Sequence, residues 1–131
     1  MKLEQKFRHE YKHSITAADM TTLRMRLSAV MQHDIFTVGG KYFIRSLYFD
    51  NIFDKALLEK LNGVNQREKF RIRYYNGDTS FIRLEKKSKF GGLSSKQSAP
   101  LTYEQADLLA RGIPVRDSKN ELINELAFKM D

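Results

Sequence analysis

The sequence predicts one α+β domain built on a mainly antiparallel sheet with flanking helices. Its 131 residues, 41% hydrophobic and 30% charged, suit a single globular domain with its own core, and we expect that domain to span residues 1–131. Asn76-Gly77 between two alternating segments predicts a hairpin and therefore antiparallel pairing. No regular alternation of strands and helices demands a parallel sheet.

The first two elements are predicted from periodicity and a helix cap. Residues 3–13 alternate as a strand. Thr16, with Asp19 three residues later, is a capping-box variant that predicts a helix to about Gln32. That helix would carry an apolar stripe formed by Met20, Leu23, Leu27, Val30 and Met31.

The next two elements lie between paired glycines and the hairpin. Residues 42–50 predict a second, largely buried strand. Asp50 and Asn51 offer side-chain caps to a short helix, which Asn62-Gly63 would end. The apolar residues of this helix are Ala56, Leu57, Leu58 and Leu61.

Three elements follow the hairpin strands. Residues 93–101 predict a polar strand. Thr102 begins a capping box for a helix to about Arg111, with Gly112 just past its end. Ser118, with a glutamate three residues later, predicts the start of the last helix.

Composition excludes several classes of protein. The absence of cysteine excludes disulfides and thiolate metal sites. No apolar run approaches the roughly 20 residues of a membrane-spanning helix, so no transmembrane segment is predicted. The first residues also lack the apolar region of a signal peptide. We expect a cytoplasmic protein, with association to a membrane partner left open.

The charge of the chain predicts a polyanionic partner. The net charge is +7, from 23 Lys and Arg against 16 Asp and Glu. Nine basic and three acidic residues lie between Arg67 and Lys96, so this segment alone carries +6. Nucleic acid, an anionic membrane surface and phosphate are the classes of ligand that fit.

Charged residues repeat at every second position of three predicted strands. Like charges on neighbouring strands repel, at a cost of about a few tenths of a kcal/mol per pair. We therefore expect a bound anion to supply the missing counter-charge. Arginine and lysine on rigid strands suit phosphate and its transfer. The three triplets are Arg8, Glu10 and Lys12; Lys69, Arg71 and Arg73; and Arg83, Glu85 and Lys87.

Two other interpretations of this face stay open. It could be the solvated side of a sheet whose other side is covered by helices, as is common in antiparallel sheets. It could also bind single-stranded RNA, which requires aromatic rings on the same face as the basic groups. Phe70, Ile72 and Tyr74 alternate onto the opposite face, which leaves Tyr75 on the charged side and favours a ligand made mostly of phosphate.

Metal binding is predicted weakly. The three histidines have no convincing ligand spacing, and no phosphate-binding loop of the Gly-x-x-x-x-Gly-Lys-Ser/Thr type is present. Glu10 and Glu85 are the carboxylates of the charged face, and such oxygens together with substrate phosphates suit Mg²⁺ or Mn²⁺. They could equally be counter-ions for the surrounding basic residues.

Several segments together resemble a known family. "RHEYKH", "RSLYFDN", "GVNQREKFRIRYYNGD", "IRLEKKSK" and "GGLSSKQS", in this order, resemble the VTC (vacuolar transporter chaperone) domain of polyphosphate polymerases, in the triphosphate tunnel metalloenzyme superfamily. The resemblance runs from about Phe7 to Gly112. It implies an antiparallel, tunnel-type β-barrel that moves the γ-phosphoryl group of ATP onto polyphosphate with a divalent metal, Mn²⁺ or Mg²⁺.

The resemblance also implies roles for individual residues. Arg71, Arg73 and Lys87 would be the catalytic cations, and Glu10 and Glu85 the metal ligands. Phosphate ligands would be Lys12, Lys60, Arg71, Arg73, Arg83, Lys87 and Lys96. Arg8 stands where related tunnel enzymes carry one metal-associated carboxylate.

The resemblance further implies that the chain is the N-terminal portion of a longer tunnel domain. We therefore expect ATP, polyphosphate or another phosphate anion as ligand, without specific nucleic-acid binding, and a homodimer formed through a sheet edge or an anion held on the basic side. Catalysis by this portion alone is not expected. A non-catalytic polyphosphate- or nucleotide-binding module is the alternative function, and an RNA-binding sheet is the second alternative.

Overall fold

The structure, a computed structural model, describes residues 6–34, 37, 39–51 and 55–131. Within these residues it has five strands and four helices. The strands are β1 (Phe7–His9), β2 (Ile44–Tyr48), β3 (Gln66–Tyr75), β4 (Ile82–Phe90) and β5 (Leu93–Leu101). The helices are α1 (Ala17–Leu27), α2 (Lys55–Leu61), α3 (Tyr103–Ala110) and α4 (Glu121–Met130).

The predicted α+β class with a mainly antiparallel sheet is confirmed. All five strands join one sheet in the order β1-β5-β4-β3-β2, and every neighbouring pair is antiparallel. The described strands form an open sheet that is not closed into a barrel. No helix within the described ranges is long and apolar enough to cross a membrane.

The chain divides into two compact units. One comprises residues 1–9 with 43–131 and contains the sheet, α2, α3 and α4. The other comprises residues 10–42 and contains α1. In this second unit the predicted capping box is confirmed, since Thr16 accepts from the amide of Asp19 and the Asp19 carboxylate accepts from the amide of Thr16.

The hydrophobic core lies on one side of the sheet. Alternate residues of β3, β4 and β5 point to this side and pack against α3 and α4. Leu84, Leu109 and Ile123 are fully buried at its centre. The helices that cover this side leave the opposite side of the same strands for other contacts. The buried sheet residues are Phe70, Ile72, Ile82, Leu84, Ala99 and Leu101.

Helix caps account for the positions of α3 and α4. Thr102 and Gln105 form the predicted capping box, and Gly112 follows the helix with a φ of 77°, as expected at that position. The last helix begins later than predicted from Ser118. Asn120, and not Ser118, is its N-cap, because the Asn120 side chain accepts from the amides of Leu122 and Ile123.

Three elements differ from their predictions, and for the two strands the reason is that alternation does not reveal strand length or position in the sheet. The strand predicted at residues 3–13 has only Phe7–His9 as strand, and residues 3–5 lie outside the described ranges. The strand predicted as largely buried at 42–50 is the exposed edge strand β2. The helix predicted to about Gln32 ends at Leu27, and its apolar stripe is exposed.

Asp50 and Asn51 cap α2, as predicted, although residues 52–54 lie outside the described ranges. The Asp50 carboxylate accepts from the amides of Ala56 and Leu57, and the Asn51 side chain accepts from the amide of Lys55. These hydrogen bonds lower the pKa of Asp50, with the Ala56 amide making the largest contribution. The chain is therefore fixed directly after β2.

Candidate anion-binding face

The side of the sheet opposite the core carries the predicted charged residues. Strand register places Tyr48 beside Arg71, and Arg71 beside Glu85, so these cross-strand partners share one side. We call this side the basic face. It comprises Ser46, Tyr48, Lys69, Arg71, Arg73, Arg83, Glu85, Lys87, Lys96 and Ser98.

Like charges stand directly opposite one another on the basic face. Lys87 of β4 lies between Lys69 of β3 and Lys96 of β5, and Arg73 is opposite Arg83. Each such pair is unfavourable in the unliganded protein. The alternation predicted from the sequence is thus confirmed, and the structure adds that the strands are aligned so that cations face cations.

One buried ion pair lies at the centre of this cationic surface. Arg71 is 6% exposed and Glu85 is 3% exposed. Nε and Nη2 of Arg71 donate to Glu85 Oε2 at 3.0 and 2.6 Å. Burial opposes the charge of Arg71, but the hydrogen bonds to Glu85 and Tyr48 outweigh burial and raise the pKa of Arg71. Lys96 Nζ lies 3.9 Å from the same Glu85 oxygen.

Arg73 of β3 and Arg83 of β4, which are opposite each other, are each held by a serine of the next strand, β2 or β5. Arg73 Nε donates to Ser46 Oγ at 2.9 Å, and Arg83 Nη1 donates to Ser98 Oγ at 3.2 Å. The Arg83 guanidinium also lies 4.7 Å from the centroid of the Phe81 ring. Both arginines are bound by neutral groups, so their charge is available to an anion.

Lys60 of α2 adds a further cation near the face. Burial lowers the pKa of Lys69, the Tyr48 phenol opposes this, and the charges of Lys60, Lys87 and Arg71 lower it further. The carbonyl of Lys60 accepts from Arg67 Nη1 at 3.3 Å, which joins the end of α2 to β3. The predicted site residue Lys60 therefore acts electrostatically on Lys69, which belongs to the basic face.

Two of the three charged residues predicted for the first strand, Glu10 and Lys12, lie in the other compact unit. Glu10 and Lys12 form an ion pair at 3.5 Å outside any strand, and the Lys12 side chain is 84% exposed. Arg8 stays in β1 opposite Ser94, as its alternation predicts. The charged triplet predicted for this strand is therefore wrong as a strand triplet, because the strand ends at His9.

The carboxylates form no preassembled metal site in the part of the chain that the structure describes. No group of three or more His, Asp or Glu side chains converges there. Glu85 instead accepts hydrogen bonds from Arg71, which is the counter-ion arrangement that the sequence left open. A single carboxylate with phosphate oxygens and water still fits the way in which Mg²⁺ is usually held.

A concavity of about 1320 Å³ lies against the core side of the sheet, with Tyr48 and Lys69 at one edge. Its lining has six basic and three acidic residues, and two of the lysines, Lys86 and Lys129, are paired with carboxylates. Lys86 contacts Glu125 at 2.5 Å and Glu68 at 3.2 Å, and Lys129 contacts Glu68. We take the basic face and not this concavity as the candidate anion site, because Arg73 and Arg83 are held there by neutral serines whereas Lys86 and Lys129 are paired with carboxylates.

Comparison with known families assigns the chain. A family model described as the VTC domain matches residues 7–129, from β1 into the last turn of α4. The chain belongs to the VTC domain family. The VTC domain implies a polyphosphate polymerase-like family. No curated protein matches this VTC domain significantly.

Tyr48 was not among the residues that the sequence predicted for the anion site of this VTC domain, and Lys69 was predicted only as part of a charged triplet. Ser46 and Tyr48 alternate onto one side of β2, but alternation alone could not tell which side faces Arg71. Lys69 Nζ lies 5.1 Å from the centroid of the Tyr48 ring. The only available signal was the period-2 relation between Lys69, Arg71 and Arg73, which already placed Lys69 among the charged residues.

Proposed function

We propose that this chain is the phosphate-binding part of a polyphosphate polymerase-like domain, which binds polyphosphate and the phosphates of ATP. In the complete domain the reaction would be transfer of the ATP γ-phosphoryl group to polyphosphate. The observation that carries the proposal is the row of opposed cations, Lys69–Lys87–Lys96 with Arg73–Arg83, in a member of the VTC family. A polyphosphate chain would relieve this repulsion along its whole length.

The roles follow from the contacts. Arg73, Arg83 and Lys87 lie on adjacent strands and would contact successive phosphoryl groups, with Lys96 and Lys60 at the margins. Arg73 and Lys87, together with Arg71, are the residues that would stabilise charge on a transferring phosphoryl group. Lys12 remains a proposed phosphate ligand, carried by the other compact unit.

A divalent cation, Mg²⁺ or Mn²⁺, is proposed as cofactor. It would neutralise phosphate charge in the complete domain, held by phosphate oxygens and by Glu85. Both hydrogen bonds that Arg71 donates to Glu85 go to Oε2, so the second carboxylate oxygen, Oε1, is the one that would hold the cation.

We propose that further chain completes the tunnel wall opposite the basic face. Apolar side chains of α2 are exposed, including Leu61 at 71%, and β2 is an open sheet edge with Leu47 and Tyr48 exposed. Such surfaces are usually covered in a functional assembly. A longer VTC domain or a second copy paired at a sheet edge would cover them, and the monomer would then bind anions without turnover.

A non-catalytic polyphosphate- or nucleotide-binding module is the second candidate, because ligand binding needs only the basic face. An RNA-binding sheet is less well supported. Tyr48 and Tyr75 both point to the basic face, but they lie about 13 Å apart along the strand direction. The ring of Tyr48 also lies beside the ammonium of Lys69. The two rings therefore form no continuous stacking platform for adjacent bases.

The proposal is tested by competition and by turnover. A short fluorescent polyphosphate bound to the chain should be displaced by tripolyphosphate at lower concentration than by oligo-U of equal charge. ATP with Mn²⁺ should yield polyphosphate when the remaining tunnel segment of a VTC domain is supplied in trans. Binding without turnover in that mixture favours the non-catalytic module, whereas stronger displacement by oligo-U contradicts both phosphate functions.

A further inference from the structure

Tyr48 is placed on the basic face by the pairing of β2 with β3. It lies directly opposite Arg71, and backbone pairing continues one residue further, where the amide of Phe49 donates to the carbonyl of Phe70 at 3.1 Å. Asp50 then caps α2. Strand pairing on one side and a helix cap on the other fix the backbone that carries the phenol.

The hydrogen bond between Arg71 and Tyr48 has only one possible direction. Arg71 Nη1 lies 3.3 Å from Tyr48 Oη, and a guanidinium can only donate. The phenol oxygen is therefore the acceptor, and its own proton is not used in this bond. No acceptor for that proton lies within the described ranges, and the tyrosine is 50% exposed. The hydroxyl is thus a neutral donor at the surface of the basic face.

The surrounding cations strengthen this donor. Its hydrogen bond from Arg71 lowers the pKa of Tyr48, burial opposes this, and the charges of Arg71, Lys69 and Arg73 lower it further. A hydroxyl that accepts from a cation also donates more strongly, because a chain of hydrogen bonds is mutually polarised. Lys69 Nζ lies 5.1 Å from the centroid of the Tyr48 ring, which places a second cation beside the phenol.

We propose that Tyr48 is a direct phosphate ligand of the basic face, whose hydroxyl donates to a phosphoryl oxygen while it accepts from Arg71. The inference rests on the proposed function and adds a specificity residue to it. Arg71 is bound to Glu85 on one side, so Tyr48 extends the reach of this buried cation to the surface. A hydroxyl with one proton to donate orients a phosphoryl oxygen, which a mobile lysine does not do.

The test compares Tyr48→Phe with Tyr103→Phe. The first removes only the hydroxyl and keeps the ring beside Lys69. The second removes the same group from an exposed tyrosine at the start of α3 and is the matched control. Calorimetric titration with tripolyphosphate should show affinity roughly 10-fold weaker for Y48F, since hydrogen bonds to charged groups are of this strength, and unchanged for Y103F.

A spectroscopic measurement separates contact from a structural role. In protein labelled at the tyrosine Cζ, the resonance missing from Y48F belongs to Tyr48, and it should shift on addition of tripolyphosphate. Equal affinity of Y48F and the wild type, with no shift of this resonance, would overturn the inference while leaving the proposed function intact. Failure of the wild type to bind tripolyphosphate would overturn the proposed function, and the inference with it.

Discussion

We expect Glu85 to control how strongly the basic face attracts an anion. It is buried, and Arg71 donates two hydrogen bonds to one of its oxygens. Neutralising it by Glu85→Gln removes a repulsive charge and frees Arg71, so metal-free affinity for tripolyphosphate should rise by about 3- to 10-fold. Glu121→Gln, which removes the same charge from the exposed first turn of α4, is the control and should change little. Weaker metal-free binding by E85Q would contradict the counter-ion role.

Arg71 and Glu85 should also be coupled in stability. Arg71→Met leaves a buried carboxylate with Lys96 as its nearby cation, at 3.9 Å, and should lower the free energy of unfolding by about 3 kcal/mol. The double variant R71M/E85L should recover most of this loss, because two apolar side chains of similar volume need no counter-charge. Urea denaturation measures both values. Additive losses in the double variant would show that the pair is not coupled.

We expect Lys69 to give anion binding a pH dependence. Burial and neighbouring cations lower its pKa below the usual 10.5, so the unliganded protein loses this charge earlier than an ordinary lysine as pH rises. A bound anion favours the charged form, which means that binding takes up protons. Tripolyphosphate affinity should therefore fall as pH rises towards 10.5, and Lys69→Arg should flatten that fall because arginine stays charged. Calorimetry across this range checks the difference, and parallel curves for the two proteins would contradict it.

At the scale of elements, Lys86 ties α4 to the sheet. It projects to the core side of β4, with only 12% of its side chain exposed, between Glu68 of β3 and Glu125 of α4. Lys86→Met keeps the apolar stem but leaves both carboxylates without this partner. We expect a loss of about 1 kcal/mol of unfolding free energy and faster hydrogen exchange in α4. Lys89→Met, at an exposed position of the same strand, should leave both measurements unchanged.

Local sequence signals predicted the element ends that depend on local chemistry. The caps at Thr16, Asp50 and Thr102 are confirmed because each side chain satisfies amides within a few residues of itself. The extents of β1 and β2 were wrong because strand length and burial depend on partners distant in sequence. Alternation cannot identify an edge strand, so the exposure of β2 became evident only from the sheet order.

At the scale of the whole molecule, the basic face was predictable from the sequence, but the ion pair between Arg71 and Glu85 was not. The period of two in β3 and β4 is sufficient to place Arg71, Arg73 and Lys87 on one side of a sheet. Strand register decides that cations oppose cations and that Arg71 meets Glu85, and alternation within each strand does not by itself fix that register. The position of Tyr48 on the basic face was not predicted, for the same reason, and Lys12 lies outside a strand because β1 ends before it.

The most direct test of the central claim removes charge from the basic face and compares it with equal charge removed elsewhere. The triple variant R73Q/R83Q/K87Q changes three cations of the face, and R24Q/R111Q/K119Q changes three exposed cations of other segments. Both lose three positive charges, so a general electrostatic effect would weaken them equally. In tripolyphosphate titrations at fixed ionic strength, we predict at least 100-fold weaker binding for the first variant and less than 5-fold for the second. Equal weakening of the two variants would contradict a phosphate site on the basic face.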